Sequence, residues 1–98
     1  MLKTVTPIDN SILVERKYAT DSEIDIALQN AYQARKKWKE TSLSERKEIV
    51  RNFVKCFLVN NTEIVENLCK QIGRPISQCP GEMRGFEERA NYMIDNAD

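Results

Sequence analysis

The sequence contains no histidine and only three cysteines, three glycines and three prolines among its 98 residues. Without histidine, the chain lacks the commonest general base near neutral pH and the commonest metal ligand. Cys56, Cys69 and Cys79 form no Cys-x-x-Cys pair, so a zinc site would need a carboxylate at unfavourable spacing. An odd, sparse set of cysteines also differs from the disulfide framework of small secreted domains. We therefore expect free thiols, no metal, and a reducing, cytoplasmic location.

The sequence also lacks an excess of charge of either sign and any long apolar run. Fifteen basic residues balance fifteen acidic residues, whereas a general nucleic-acid surface requires excess positive charge. The longest apolar candidate, residues 53–59, is interrupted by Lys55 and is far shorter than the roughly 20 residues of a membrane span. No apolar segment of a signal peptide follows Met1. We expect neither nucleic acid nor a membrane as a partner.

The sequence is rich in amphipathic helical patterns with start and stop signals. Residues 20–23 and 42–45 both fit capping boxes, in which a hydroxyl and a carboxylate satisfy free amides at a helix start. The predicted helix boundaries lie at Thr20, Ser42, Asn60-Asn61, Gly73 and Pro80. The last helix shows no glycine, proline or basic residue that would end it.

Residues 3–18 favour extended structure on either side of Asp9-Asn10-Ser11, which is typical of a turn. We predict a short hairpin in which Pro7 confines its strand to a sheet edge. The fold class is therefore mainly α, an irregular bundle of about four helices preceded by a short N-terminal β-hairpin. The short connections favour a compact helical unit over separate domains. Residues 1–98 would form a single unit, with the hairpin in 1–18 and the helices in 20–98.

The apolar face predicted for the first helix includes Trp38. The lysines around it suggest a nucleic-acid patch, but the helical spacing favours a core or interface position for the indole. The other members of this face are Ile24, Ala27, Leu28, Ala31 and Arg35.

Few side chains are placed to carry chemistry. Cys79 precedes Pro80 at a predicted helix start, where the helix dipole could lower the pKa of a thiol, but no base is available to activate it. We expect Cys56 and Cys69 to pack within their helices. A small-molecule site among Glu82, Arg84 and Arg89 is a third alternative, although their charge alternation favours a solvated helix face.

Five short motifs occur in an order that is characteristic of one enzyme family. They are Thr6–Asn10, similar to an Asn-Pro-x-x-Gly turn; Ala19–Ala27, at the start of the first helix; the Ala-x-x-Ala-x-x-x-Trp spacing of Ala31, Ala34 and Trp38; Ser44-Glu45-Arg46; and Gly73–Gln78 followed by Glu82. Together these motifs resemble the N-terminal segment of the aldehyde dehydrogenase superfamily. Asn10 stands where the family usually has glycine, although asparagine also adopts the left-handed conformation.

The resemblance implies a much longer enzyme with an NAD(P)-binding domain, a catalytic domain and an oligomerisation arm. Such enzymes oxidise aldehydes to acids through a thiohemiacetal on a catalytic cysteine. The Gly-Gln-x-Cys context of that cysteine and the glycine-rich cofactor motif are absent here, so no catalytic, cofactor-binding or metal-binding residue carries over. We expect a truncated aldehyde dehydrogenase-like protein that is catalytically inactive alone and binds no cofactor by itself.

The alternative function is a stand-alone helical interaction or oligomerisation module. Apolar faces that are covered in the longer relatives would be exposed here, and large exposed apolar patches mark interaction sites. Self-association or binding to a full-length relative would follow. The candidate interaction surface consists of Trp38, Phe53, Phe57, Phe86 and Met93.

Overall fold

The computed structural model describes residues 1–98 as a two-stranded β-hairpin followed by four α-helices. The elements are β1 (Leu2–Val5), β2 (Ile12–Arg16), α1 (Asp21–Glu40), α2 (Leu43–Val59), α3 (Asn61–Ile72) and α4 (Pro80–Asp95). The predicted fold class, mainly helical with an N-terminal hairpin, is confirmed. None of the helices combines the length and apolar character needed to cross a membrane.

The two strands pair antiparallel, and their loop follows the predicted turn chemistry. The Asp9 carboxylate accepts a hydrogen bond from the Ser11 backbone N–H at 2.9 Å, and Asn10 adopts a φ of 61°. β1 ends at Val5, so Pro7 lies in the loop. Pro7 therefore lies outside the strand in which it was predicted, whereas β1 is at a sheet edge, as expected, because the sheet has only two strands.

Capping boxes begin α1 and α2, as predicted. The Thr20 hydroxyl accepts the Glu23 N–H at 3.3 Å, and the Glu23 carboxylate accepts the Thr20 N–H at 2.8 Å. In the second box, the Ser42 hydroxyl accepts the Glu45 N–H at 3.2 Å, and the Glu45 carboxylate accepts the Ser42 N–H at 2.9 Å. The backbone hydrogen bond from Thr20 lowers the pKa of Glu23, and the hydrogen bond from the Ser42 hydroxyl lowers the pKa of Glu45.

These capping carboxylates predict a loss of stability in acid. Because the pKa values of Glu23 and Glu45 are lowered by folding, their stabilisation is complete above the pKa of an unfolded glutamate, about 4.3, and is lost as the pH falls through the lower folded value. We expect a melting temperature, measured by circular dichroism, that decreases below about pH 4.3. Glu23→Gln combined with Glu45→Gln should flatten that decrease. Glu66→Gln, at an exposed position with no ion pair, is the control, and a double variant that keeps the full decrease would contradict the expectation.

The other helix ends use asparagine and glycine. Asn60 is both the C-cap of α2 and the N-cap of α3. Gly73 ends α3 in the left-handed conformation, with a φ of 68°. α4 ends at Asp95, and the Asn96 side-chain amide donates to the Tyr92 carbonyl at 2.8 Å. The fourth helix therefore ends with a capping asparagine in place of the glycine, proline or basic residue that commonly ends a helix.

The core is small and lies mainly between α3 and α4. Val65, Cys79 and Met83 form a buried cluster, and Val54 and Ile94 are buried where α2 packs against α4. Only six of the 98 residues are buried. The radius of gyration is 17.7 Å and the extents are 49 × 37 × 18 Å, whereas a compact domain of this length has a radius of about 13 Å. The prediction of a compact unit is therefore wrong, because three packed helices leave a flat molecule.

Helix α1 contributes nothing to this core. Each of its 20 residues is exposed, including Ile24, Leu28 and Trp38. The expected apolar stripe is present but uncovered. Arg46 of α2 joins the two helices by donating to the carbonyls of Trp38 at 2.7 Å and Lys39 at 3.2 Å. Its guanidinium thereby satisfies carbonyls that are left free at a helix end.

Candidate interaction surface

The three thiols occupy different environments. Cys79 is completely buried, with its Sγ 3.5 Å from the Pro75 carbonyl oxygen. Burial, together with the neighbouring Cys69 thiol, raises the pKa of the Cys79 thiol. The expectation of a lowered pKa at this helix start is wrong, because desolvation of the thiolate outweighs the dipole. Cys69 is half-buried beside the core, but Cys56 is exposed, so the prediction that Cys56 packs is also wrong.

These environments predict an order of thiol reactivity. Cys56 should react rapidly with an aromatic disulfide reagent, whereas Cys79 should react only as the chain unfolds, because burial and the raised pKa both suppress its thiolate. The absorbance of the released aromatic thiolate gives the rate of each phase. Cys56→Ser should remove the fast phase. A fast phase that disappears in Cys79→Ser instead would contradict the assignment.

The charged candidates Glu82, Arg84 and Arg89 do not surround one cavity. Glu82 forms an ion pair with Arg74, in the turn after α3. Glu82 and Arg89 line an open groove of about 560 Å³, but all seven lining residues belong to α4. The surface of a single helix is convex and cannot enclose a ligand as a concave pocket does. In addition, no three His, Cys, Asp or Glu side chains are grouped so that they could hold a metal ion.

Three of the five predicted interaction residues form one aromatic cluster where α2 packs against α4. The ring centroids of Phe57 and Phe86 are 4.5 Å apart. The ring centroid of Phe53 lies 6.0 Å from that of Phe57 and 6.4 Å from that of Phe86. Phe57 and Phe86 are half-buried, whereas Phe53 is 56% exposed. The cluster therefore joins the two helices and leaves an apolar edge at the surface.

An apolar groove of about 270 Å³ also lies between α2 and α4, and it includes Met93, which is 71% exposed. Lys47 forms an ion pair with Asp98, just beyond the end of α4, and Arg51 forms one with Asp95. We call the aromatic cluster and this groove the α2–α4 face. The groove is lined by Leu43, Arg46, Lys47, Val50, Ala90, Met93, Ile94 and Ala97.

Trp38, the fifth predicted residue, lies outside the α2–α4 face. It belongs to α1, and the centroid of its ring is 5.4 Å from the Arg46 guanidinium carbon. The structure therefore divides the predicted surface into two parts, the α2–α4 face and the apolar stripe of α1. Arg46 links them, and the Ser-Glu-Arg motif at residues 44–46 was the sequence signal that could have identified it.

The motifs that carried the family resemblance have structural roles here. The Pro7 ring packs against Gly73, where an added Cβ would be 2.7 Å from Pro7 Cγ, so the hairpin loop docks on the end of α3. Arg46 binds the end of α1, and Arg74 pairs with Glu82. Each of these contacts joins two segments of the chain.

The described residues do not fit a dinucleotide. A dinucleotide cradle requires a parallel strand, a glycine-rich turn and a helix in sequence, but the sheet here is a two-stranded antiparallel hairpin. Gly73 ends a helix, and Gly81 and Gly85 lie within α4. No catalytic step through NAD(P) follows from these residues.

Comparison with known proteins gives a consistent family assignment. The chain is 30% identical over 93 residues to an aldehyde dehydrogenase-like protein of Schizosaccharomyces pombe, covering 94% of this chain and 18% of that protein. It is 27% identical over 94 residues to the N-succinylglutamate 5-semialdehyde dehydrogenase of Legionella pneumophila, and the alignment covers 96% of this chain and 19% of that enzyme. It is 32% identical over 69 residues to the vanillin dehydrogenase of Corynebacterium glutamicum, and the alignment covers 70% of this chain and 14% of that enzyme.

The chain therefore spans less than about a fifth of the length of these curated relatives. The model of the aldehyde dehydrogenase family matches residues 1–98. The match confirms the resemblance seen in the ordered motifs, and it extends over the hairpin and all four helices. This chain belongs to the aldehyde dehydrogenase family.

Proposed function

We propose that this chain is a scaffold element of the aldehyde dehydrogenase fold and does not oxidise aldehydes by itself. The observation that supports this proposal is the structural role of the motif residues, which dock the hairpin, bind the end of α1 and connect α3 to α4. The family chemistry requires an activated thiolate and preorganised donors for an oxyanion. The Cys79 thiol is buried and its pKa is raised, which is the opposite of activation.

The proposal is tested by assaying the purified chain with NAD or NADP and a panel of aldehydes. Vanillin and N-succinylglutamate 5-semialdehyde belong in the panel because relatives are named for them. We expect no aldehyde-dependent NAD(P)H absorbance. Turnover that is lost when one of Cys56, Cys69 or Cys79 is replaced by serine would overturn the proposal. Turnover that survives replacement of all three cysteines would come from a contaminating enzyme and would support the proposal that the chain itself is inactive.

We further propose an interaction role, in which other protein covers the α2–α4 face and the stripe of α1. The supporting observation is the surface area. The chain exposes 8164 Å², about 2,400 Å² more than the roughly 5,800 Å² that size scaling gives for a compact monomer of this mass. A standard interface removes about 800 Å² from each partner. The excess is therefore large enough for a partner to bind on either surface.

Multi-angle light scattering over a concentration series tests this second role, alone and with a full-length relative. We expect self-association or a complex. A strictly monomeric chain that binds no relative and melts cooperatively at high temperature would contradict it.

A further inference from the structure

We propose that α1 is a self-complementary docking helix, which pairs antiparallel with α1 of a second copy of this chain. The inference rests on the interaction role proposed above and names both the surface and the partner. Ile24, Leu28, Ala31 and Trp38 recur at intervals of four, three and seven residues, which places them on one face of a helix, as in a coiled coil. Ile24 is 46% exposed, Leu28 64% and Trp38 43%.

The charges along α1 select the antiparallel orientation. Asp21, Glu23 and Asp25 lie in its first five residues, whereas its last five contain Lys36, Lys37 and Lys39 against the single acidic residue Glu40. A parallel pair would set like charges against each other at both ends. An antiparallel pair sets the acidic end of each copy against the basic end of the other, which is the complementarity that specific interfaces use.

The apolar stripe has the same two-fold symmetry as the charges. Ala31 lies at the middle of α1 and Ala27 precedes it by one turn, so two helices can approach closely where they cross. Towards the ends, Ile24 of one copy would lie close to Trp38 of the other. The indole is already oriented, because the Arg46 guanidinium carbon lies 5.4 Å from the centroid of its ring.

Formation of the pair removes much of the apolar surface that α1 exposes. A helix of 20 residues is about 30 Å long, so a full antiparallel overlap extends the contact over every turn. The formal net charge of the chain is zero, so no general repulsion opposes the approach of two copies.

Sedimentation and light scattering of the 98-residue chain test the inference. We expect a mass that rises with concentration from 11.4 kDa to twice that value, together with a blue shift of the fluorescence of Trp38, the single tryptophan. A basic-end variant (Lys36→Glu, Lys37→Glu and Lys39→Glu) should raise the dissociation constant about a hundredfold, because like charges then face each other. An acidic-end variant (Asp21→Lys and Asp25→Lys) should do the same and keeps Glu23, which caps the helix.

Mixing the two charge variants should restore the dimer, because the two acidic ends of one helix then face the predominantly basic ends of the other. This recovery also shows that neither variant lost association through misfolding. Failure of the mixture to associate while circular dichroism shows intact helices would overturn the inference. Val59→Ser, at an exposed apolar residue on neither surface, is the control and should leave the dimer unchanged. Met93→Ser reports separately on the α2–α4 face.

The controls separate this inference from the interaction role on which it rests. Loss of the dimer in Met93→Ser, with retention in the basic-end variant, would overturn the α1 pairing while preserving self-association through the other face. A chain that stays monomeric at every concentration but binds a full-length relative would also overturn the pairing alone. A chain that is monomeric and binds nothing would overturn both.

Discussion

Replacement of Met83 by alanine should lower the melting temperature by about 10–30 °C. Met83 is 5% exposed and packs with Val65 and Cys79 in the main buried cluster. A buried methionine-to-alanine change costs about 2–5 kcal/mol, and each kcal/mol shifts the melting temperature of a domain of this size by about 4–8 °C. Small domains have only about 5–15 kcal/mol of stability in total. With six buried residues the chain lies near the lower limit, so Met83→Ala should unfold much of it.

Met93→Ala is the matched control, because it makes the same chemical change in the same helix. Met93 is 71% exposed, and a surface substitution of this kind changes stability by less than about 0.5 kcal/mol. Thermal and urea denaturation followed by circular dichroism at low protein concentration measure both variants. Equal destabilisation by the two substitutions would show that the core between α3 and α4 does not carry the stability of the chain.

Replacement of Gly73 by alanine should destabilise the chain by about 2 kcal/mol or more. Gly73 has a φ of 68°, and an L-residue in the left-handed conformation costs about 1–2 kcal/mol. The new Cβ would also lie 2.7 Å from Pro7 Cγ, which belongs to a rigid ring. The hairpin loop therefore has to move away from the end of α3. Hydrogen exchange of the β1 and β2 amides, together with urea denaturation, measures both effects.

Gly85→Ala is the same substitution at another position, and it should raise the stability that Gly73→Ala lowers. Gly85 lies within α4, and an added Cβ would meet no atom within 4 Å. Alanine is favoured over glycine in a helix interior by about 0.8–1 kcal/mol, so this variant should be more stable than the original chain. A neutral Gly73→Ala variant alongside a stabilised Gly85→Ala variant would show that the hairpin does not dock on Gly73.

The elements that could be predicted from the sequence are those fixed by short-range contacts. Thr20 with Glu23, and Ser42 with Glu45, lie three residues apart, so their capping bonds depend only on the local backbone. The left-handed conformation of Gly73 is also a local feature, because a glycine directly after the last turn of a helix commonly adopts it. These signals located the starts of α1 and α2 and the end of α3.

The position of α1 could not be predicted in this way. Its periodicity shows which face is apolar, but it contains no information on what covers that face. Ile24, Leu28 and Trp38 therefore have the spacing of core residues while remaining exposed. Cys79 illustrates the same limit, because its place at a helix start is visible in the sequence, whereas the burial that raises its pKa depends on contacts with α3.

The candidate interaction surface was predicted as a set of residue types and not as an arrangement. Phe53 and Phe57 are four residues apart on one helix, so their proximity follows from sequence. Their contact with Phe86 depends on how α2 and α4 cross, which spacing does not encode. The separation of Trp38 from the phenylalanines has the same origin.

The shared cap at Asn60 makes the chain sensitive to changes of length at that point. One residue both ends α2 and begins α3, so no loop is available to absorb an insertion or a deletion. Adding or removing a single residue would rotate α3 by about 100° around its own axis relative to α2. Val65 would then point away from Met83. We expect an insertion between Ile76 and Gln78, where the backbone forms an exposed turn, to disturb the helix packing less.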